Sequence, residues 1–384
     1  MEPQRIGNYT VERRLGGGGV GEVYLARSRG LHGVAKQVVI KRLRGDRELN
    51  GRRVRAFLDE ARLAARLSHQ NICQVIELGE GDGEFFLVME HIDGPTLAQL
   101  ASGALKAAVP LPHAAAAFIV AQVCAGLSHA HDLRDGERSL DVIHRDVSPQ
   151  NVLISREGEV KLIDFGIAKS ALRQERTRAG IIKGKARYMS PEQARAMRVD
   201  HRTDVFSAGV VLYELLAGRR RGDGLARDEL ARVVREGVLD LEPLRAAAVP
   251  EALIAAVERA VATDVEARWP TAAAFGEAIE AWLRGAQAAY GRRDVAQLVQ
   301  TLFPPQIEGE QGSASANKLE TDRVEMEPLK IESVTHETVR ERPAAQAQAQ
   351  ALPTAEEEAA PASARPFAPA PQAELAARGT VILP

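Results

Sequence analysis

Residues 144–151 read HRDVSPQN, and the interpretation of the whole chain depends on this stretch. Taken alone, a His-Arg-Asp sequence is typical of a loop whose arginine and aspartate form a salt bridge. Here two short apolar segments follow, VLI and VKLI, and the second leads directly into Asp164, Phe165 and Gly166. The His-Arg-Asp sequence is therefore followed, two predicted strands later, by a second aspartate.

The composition of the 384-residue chain excludes several classes of protein. Its hydrophobic fraction of 45% is ample for a core. A formal net charge of -2 gives no reason to expect nucleic acid or an acidic membrane as the main partner. The N-terminus lacks the apolar core of a signal peptide. The most apolar segment, 205–218, is interrupted by Glu214 and is shorter than the roughly 18 residues of a membrane helix. We therefore expect a cytoplasmic protein without membrane insertion.

The pattern of apolar residues divides the chain into two lobes. Up to about residue 95, alternation of apolar and β-branched residues predicts strands. The segment 52–67 differs, because its apolar residues recur at helical spacing. Beyond residue 95 the long apolar segments are helical, at 113–132, 204–217, 251–263 and 271–284. The sequence thus predicts an α+β fold with a small β-rich N-terminal lobe that contains one helix, and a larger α-helical C-terminal lobe.

The composition changes again after this folded region, which we place at residues 9–284. Within 285–304, the residues Val295, Leu298, Val299 and Leu302 are spaced as in a short helix that could dock on the C-terminal lobe. Residues 305–384 are rich in Pro, Ala, Gln and Glu and have few large apolar side chains. Such a segment cannot bury enough surface to offset its ordering entropy, so we expect a disordered tail.

A glycine-rich segment, LGGGGVGEV at 15–23, lies between two predicted strands. Gly16, Gly18 and Gly21 form the pattern G-x-G-x-x-G, and glycines let a turn approach phosphate groups because they carry no Cβ. The fingerprint of dinucleotide-binding proteins shares this spacing, but its glycines open a helix, whereas the strand VYLARS follows here. A flexible turn without a ligand remains an equal alternative for this segment alone.

A lysine on the next strand offers positive charge beside the glycines. VVIK at 38–41 places Lys41 in an apolar strand, where its ammonium could neutralise phosphate charge. Such a lysine requires a carboxylate from the helix of the small lobe to hold it. Glu60 follows Phe57 by three positions and precedes Ala64 by four, on the inward side of the helix 52–67. Its neighbour Asp59 points about 100° away around the helix.

Together these segments resemble the protein kinase superfamily and, more narrowly, the eukaryotic-like serine/threonine protein kinases of bacteria. The resemblance covers about residues 9–284. It includes DVFSAG at 204–209, whose Asp204 would brace the catalytic loop, and Arg268, which would pair with Glu192. The motifs that carry it occur once each and in the family's order: the glycine loop, VVIK, HRDVSPQN, the Asp-Phe-Gly at 164–166 and YMSPE at 188–192.

The resemblance implies a bilobal protein-kinase fold and an enzyme that uses ATP and Mg²⁺ to phosphorylate hydroxyl groups of proteins, and itself, in signal transduction. Asp146 would accept or orient the proton of the substrate hydroxyl, and Asn151 and Asp164 would hold Mg²⁺. Met89 would be the gatekeeper, with the backbone of Glu90 and Ile92 as the hinge. The residues implied to contact the nucleotide are Leu15, Gly16, Gly17, Gly18, Gly19, Val20, Gly21, Glu22, Val23, Val39, Lys41, Met89, Glu90, Ile92 and Leu153.

The chain departs from the family's pattern at two positions. Ser148 stands where the family has a lysine that steadies the γ-phosphate, and Lys185, in GKARYMSPE, stands where the family has a threonine. Because both family residues approach the same aspartate, the two departures look reciprocal. We expect Lys185 to supply the positive charge and Ser148 to supply a hydrogen bond to Asp146. Alternatively, Lys185 faces solvent and the enzyme is simply slower.

Regulation by phosphorylation is expected from the segment between Asp-Phe-Gly and SPE. In similar kinases the arginine that corresponds to Arg145 receives a phosphate from this segment. Thr177 is its only threonine, so we expect autophosphorylation there, although Arg176 and Arg178 are equally typical of a solvated loop. The tail is a candidate for the recruitment of protein partners.

Two other functional classes share parts of the pattern. A non-enzymatic pseudokinase would have lost residues that handle phosphate, and only Ser148 supports that interpretation. A small-molecule phosphotransferase of similar fold generally lacks the glycine loop and the S-P-E segment. Tyrosine kinases typically show A-A-R or R-A-A in the catalytic loop, and the S-P-Q of residues 148–150 resembles neither.

Overall fold

The computed structural model of the chain describes residues 4–18, 21–28, 35–43, 51–81, 84–165, 184–285 and 290–304. The predicted disordered tail over 305–384 lies outside the described residues, and so do Gly19, Val20 and Thr177. All described residues belong to one compact unit.

The N-terminal lobe is built on an antiparallel sheet of six strands in the order β1-β2-β3-β4-β6-β5. Alternation along β4 directs Val38 and Ile40 to one face, where they are buried, and Val39 and Lys41 to the other. The strands are β1 Arg5–Ile6, β2 Tyr9–Gly18, β3 Gly21–Ser28, β4 Gln37–Arg42, β5 Val75–Gly81 and β6 Glu84–Glu90.

Among the described residues of this lobe there is one helix, α1, Gly51–Ala64. Phe57 and Ala61 are buried with Leu87 of β6, so α1 covers the face of the sheet that carries Lys41. The sequence predicted this helix to continue to residue 67. It ends earlier because the N–H groups of Arg66 and Leu67 bond to carbonyls only three residues back, which tightens the last turn.

The C-terminal lobe is helical and surrounds two buried helices, α3 and α5. Its helices are α2 Leu97–Lys106, α3 His113–His131, α4 Pro191–Ala194, α5 Arg202–Ala217, α6 Arg227–Glu236, α7 Glu242–Ala246, α8 Glu251–Ala260, α9 Ala272–Gly285 and α10 Arg292–Leu302. The structure confirms the predicted two-lobed α+β fold, with a β-rich first lobe and a helical second one.

Among the described residues, α3 is the one helix that is long and apolar enough to cross a membrane. The segment that looks most apolar in the sequence, 205–218, is a different one. Most of α3 is buried in the core of the C-terminal lobe, where it packs against α5 and α9. Burial on all sides accounts for its apolar composition.

Two short hairpins complete the lobe. The pair β7 Arg134–Asp135 and β8 Arg138–Ser139 lies at the surface. The pair β9 Val152–Ile154 and β10 Val160–Leu162 is antiparallel, with Val152 opposite Leu162. Since β9 begins directly after Asn151 and β10 ends two residues before Asp164, this second hairpin brings the two ends of the predicted site together.

Candidate active site

Lys41 forms ion pairs with carboxylates from two different parts of the fold. Its Nζ lies 2.8 Å from Oδ1 of Asp164 in the C-terminal lobe and 3.2 Å from Oε1 of Glu60 on α1. Burial alone would lower the pKa of Lys41, but the negative charges of Asp164 and Glu60 raise it above the ordinary value of a lysine. The ammonium is therefore charged, and it connects the helix of one lobe to an acidic residue of the other.

The helical spacing that favoured Glu60 over Asp59 corresponds to a large difference in exposure. The side chain of Glu60 is 11% exposed and bonds to Lys41, whereas that of Asp59 is 65% exposed and contacts Arg62 on the surface. Since α1 buries Phe57 and Ala61 on the same side, only the carboxylate at position 60 can reach β4.

A buried carboxylate holds the backbone of the loop that contains Asp146. Asp204, near the start of α5, accepts hydrogen bonds from the backbone N–H groups of His144 and Arg145, both at 2.8 Å. Burial would raise the pKa of Asp204, but the hydrogen bond with His131 and the other bonds lower it. Arg145 has a φ of 62°, which costs energy for a residue with a side chain, so these bonds stabilise a strained loop.

His144 connects the catalytic loop to the segment before Asp164. Its Nδ1 accepts a hydrogen bond from the backbone N–H of Asp146, which leaves Nε2 as the protonated nitrogen. Nε2 lies 3.2 Å from the carbonyl oxygen of Ile163 and donates to it. The ring of Phe165 packs against the imidazole at a centroid distance of 4.6 Å. Asp146 and Asp164 are thereby held in one site.

Lys185 lies beside Asp146 rather than in open solvent. Its Nζ donates to Oδ1 of Asn151 at 2.9 Å and lies 3.5 Å from Oδ2 of Asp146. Asn151 in turn donates through Nδ2 to Oδ2 of Asp146 at 3.0 Å. The three side chains form one hydrogen-bonded group in which an ammonium stands close to a carboxylate.

Ser148 does not make the hydrogen bond that the sequence led us to expect. Its side chain is buried, and its Oγ has no hydrogen-bond partner among the residues that the structure describes. The amide of Asn151 bonds to Oδ2 of Asp146 instead. An unpaired buried hydroxyl costs about 1–3 kcal/mol.

Three of the residues implied to contact the nucleotide share the face of the sheet that carries Lys41. Val23 is the cross-strand partner of Lys41, and Val39 is the partner of Met89. Partners in an antiparallel pair point to the same face, so all four side chains lie on the side of Lys41. Leu15, Val23, Val39, Met89 and Leu153 are all half-buried.

The glycine loop is explained in part by packing within the sheet. A Cβ on Gly21 would overlap the backbone carbonyl oxygen of Arg42 on β4. Gly16 and Gly18 lie in β2, where they pair with Val23 and Gly21, and Gly17 pairs with Glu22. The side chain of Glu22 is occupied by Arg14 at 3.1 Å.

The hinge residues are tied to neighbouring segments. The backbone N–H of Glu90 bonds to the carbonyl of Gln74 at 3.0 Å, and the carbonyl of Glu90 accepts from Sγ of Cys73 at 3.8 Å. The Glu90 side chain accepts from Lys161 at 2.7 Å and so connects the hinge to β10. Ile92 is buried, directly before the turn into α2.

Two buried arginines stabilise the segment that leads from Lys185 into α5. Arg268 forms two parallel hydrogen bonds with Glu192, at 2.7 and 2.9 Å, as the resemblance implied. Arg221 is buried and donates to the backbone carbonyls of Arg187 and Met189 and to two carbonyls at the end of α6. Sequence reasoning missed Arg221, because a run of three arginines is typical of a solvated surface.

Comparison with protein-family models matches residues 9–275 to the protein kinase domain. The chain belongs to the protein kinase family. The resemblance to the eukaryotic-like kinases of bacteria is thereby confirmed, whereas the predicted limit of the domain at residue 284 stays a prediction.

Among curated proteins, the chain is 41% identical over 289 residues to "Tyrosine-protein kinase MasK" of Myxococcus xanthus, which covers 73% of this chain and 44% of that protein. It is 34% identical over 266 residues to "Serine/threonine-protein kinase PrkC" of Bacillus subtilis, 69% of this chain and 39% of that one. The chain thus spans about two fifths of the length of these relatives. The solved kinase domain of Mycobacterium tuberculosis PknI is similar with a TM-score of 0.53 and 28% identity, over 72% of this chain and 97% of that one.

The contact between Lys41 and Glu60 should be required for activity, and the neighbouring acid is a matched control. We expect Glu60→Gln to lower kcat/KM for ATP by about a hundredfold, because an ammonium that is no longer held misplaces what it binds. Asp59→Asn, one residue away and exposed, should stay within about twofold of the wild type. Steady-state kinetics at varied ATP measures both; equal effects of the two substitutions would contradict the assignment.

Proposed function

We propose that the chain is a serine/threonine protein kinase that transfers the γ-phosphoryl group of ATP, with Mg²⁺, to hydroxyl groups of proteins. The observation that carries this proposal is the bridge of Lys41 to Glu60 and Asp164, opposite the group formed by Asp146, Asn151 and Lys185. Catalysis of phosphoryl transfer depends mainly on positioning and charge stabilisation by the protein, and these residues can supply both.

The side-chain oxygens of Asp164 and Asn151 suit a magnesium ion. Asp164 would offer a carboxylate whose side chain is 34% exposed. Asn151, whose backbone carbonyl accepts from the N–H of Ile163 next to Asp164, would offer Oδ1, which the ammonium of Lys185 contacts in this structure and would have to release. Mg²⁺ prefers oxygen ligands and is commonly held by one or two protein groups together with phosphates and water. When bound, such an ion neutralises phosphate charge.

Each protein group then has a defined task. Lys41 binds and orients phosphate oxygens, and Glu60 keeps its ammonium in place. Asp146 accepts the proton of the substrate hydroxyl or orients that hydroxyl for attack. Its carboxylate is 5% exposed and is fixed by the amide of Asn151, so its direction is set before the substrate arrives.

Lys185 takes the task that the family gives to the lysine at position 148. Its ammonium lies within 3.5 Å of Asp146 and 2.9 Å of Asn151, on a segment that Arg221 and Arg268 hold in place. An ammonium at this position can stabilise charge on the transferred group in a site of low exposure.

We assign serine and threonine as the acceptor residues because of the S-P-Q sequence at 148–150. It resembles neither A-A-R nor R-A-A, the sequences typical of tyrosine kinases at this place. The name of the Myxococcus relative makes tyrosine the second candidate acceptor. We further propose a cytoplasmic location, protein rather than nucleic-acid substrates, autophosphorylation at Thr177 and recruitment of protein partners by the tail. The near-neutral charge supports the choice of substrate class.

The proposed activity can be tested by incubating the full chain with labelled ATP and Mg²⁺ beside the variant Asp146→Asn. We expect label on serine and threonine, with Thr177 among the modified residues by mass spectrometry, and a loss of at least about a hundredfold in the variant. Label on tyrosine alone would show that tyrosine, and not serine or threonine, is the acceptor. Equal labelling of both proteins would contradict the role of Asp146.

The exchange between positions 148 and 185 can be tested by a double-mutant cycle. We expect Lys185→Thr to lower kcat by about a hundredfold or more, because charge stabilisation at the reacting centre is lost. Ser148→Lys in the same chain should restore much of that activity, and the two changes should therefore be strongly non-additive. The KM for ATP should change little. Normal turnover of Lys185→Thr would show that Lys185 has no catalytic task.

A further inference from the structure

Helix α10 covers a surface that lies beside the hinge, and it follows the residues matched to the kinase family, which end at 275. Val295 and Val299 are completely buried against the core of the C-terminal lobe. Phe303, directly after the helix, lies over Gly103 of α2, where a Cβ would stand 3.0 Å from its ring. The helix is packed as a part of the lobe.

Polar contacts join α10 to the turn between β9 and β10. Arg292 donates through Nε to the carbonyl of Glu157 at 2.9 Å and forms an ion pair with Glu159 at 2.9 Å. Gln300, more than two turns further along, donates to the carbonyl of Arg156 at 3.2 Å. The turn is thus held along the whole length of the helix rather than at one point.

Gly158 makes this close approach possible. It has a φ of 79°, and a Cβ at this position would overlap the carbonyl oxygen of Arg292 and crowd the backbone nitrogen of Ala296. Backbone atoms of a helix cannot rotate away as the end of a side chain can. Any side chain at position 158 therefore pushes α10 away from the turn.

Arg156 extends the contact from α10 to the hinge. Its Nη1 donates to the carbonyl of Phe303 at 2.6 Å, and its Nε lies 3.3 Å from Oδ2 of Asp93. Its backbone N–H also bonds to the carbonyl of Asp93 at 2.8 Å. One residue therefore connects the end of α10, the turn and the segment that follows the hinge.

The hairpin held in this way leads to both proposed metal ligands. β9 begins directly after Asn151 and contains Leu153, and β10 ends two residues before Asp164. We propose that α10 and Phe303 are a positioning element of the nucleotide site, which hold the β9–β10 hairpin against the hinge in the geometry that binds MgATP. The inference rests on the proposed function, and it extends the catalytic unit to Phe303.

The contacts of α10 predict which substrate is affected. They fall on α2, on the turn 155–159 and, through Arg156, on Asp93 after the hinge. The segment 184–194, beside the catalytic aspartate, is held by Arg221 and Arg268 instead. Undocking of α10 should therefore weaken the binding of nucleotide and leave the KM for the protein acceptor unchanged.

The full-length variant Gly158→Ala tests the proposal against a matched control. Gly136, in the turn between β7 and β8, has a φ of 60° and no atom within 4 Å of an added Cβ. Gly136→Ala therefore carries the same backbone strain without the overlap with α10. A second pair separates undocking from local strain: Val299→Asp places a charge in the buried face of α10, and Gln297→Asp places one on its exposed face.

Three measurements are made on all four variants and the wild type: hydrogen exchange of residues 292–302, calorimetric binding of a non-hydrolysable ATP analogue with Mg²⁺, and the KM for a protein acceptor. In Gly158→Ala and Val299→Asp we expect the amide hydrogens of the helix to exchange faster. We also expect both variants to bind the analogue about tenfold to a hundredfold more weakly, because the hairpin that leads to the metal ligands is misplaced. Their KM for the acceptor and the properties of both controls should match the wild type.

The outcomes distinguish this inference from the proposed function. A wild type that binds no analogue contradicts the proposed function itself. A helix that exchanges faster while the analogue binds normally, a helix whose exchange does not change, or controls that behave like the test variants would each contradict the positioning role of α10 alone.

Discussion

The ion pairs of Lys41 connect the parts of the site more directly than any other interaction in the structure. One ammonium meets Glu60 from α1 of the N-terminal lobe and Asp164 from the C-terminal lobe. Buried charges are costly unless each is paired, so the three groups require one another. The ion pairs therefore connect β4, α1 and the segment that follows β10.

The second half of the site depends on a buried carboxylate that does not react. Asp204 holds the backbone of His144 and Arg145, and His144 in turn receives the N–H of Asp146 and donates to Ile163. The strain of the loop is thus offset by hydrogen bonds from the core of the lobe. Lys185 contacts this group from a different segment, at 2.9 Å from Oδ1 of Asn151 and 3.5 Å from Oδ2 of Asp146.

Much of the fold and site could be predicted because the signals are local or periodic. Helical phase alone separates Glu60 from Asp59, and alternation in β4 determines the side to which Lys41 points. Arg221 could not be predicted, because its burial depends on how α6 packs against the segment 187–189. The unpaired Oγ of Ser148 could not be predicted either, because it too depends on the folded loop. There the amide of Asn151, three positions along the chain, makes the hydrogen bond to Asp146 that was expected of Ser148.

The most direct test is a crystal structure of the full chain with Mg²⁺ and a non-hydrolysable ATP analogue. The account predicts that Nζ of Lys41 lies within hydrogen-bond distance of a phosphate oxygen while Glu60 still holds it, and that Asp164 ligates the metal on the same nucleotide. A bound analogue whose phosphates lie away from Lys41, or whose metal has no contact with Asp164, would contradict it.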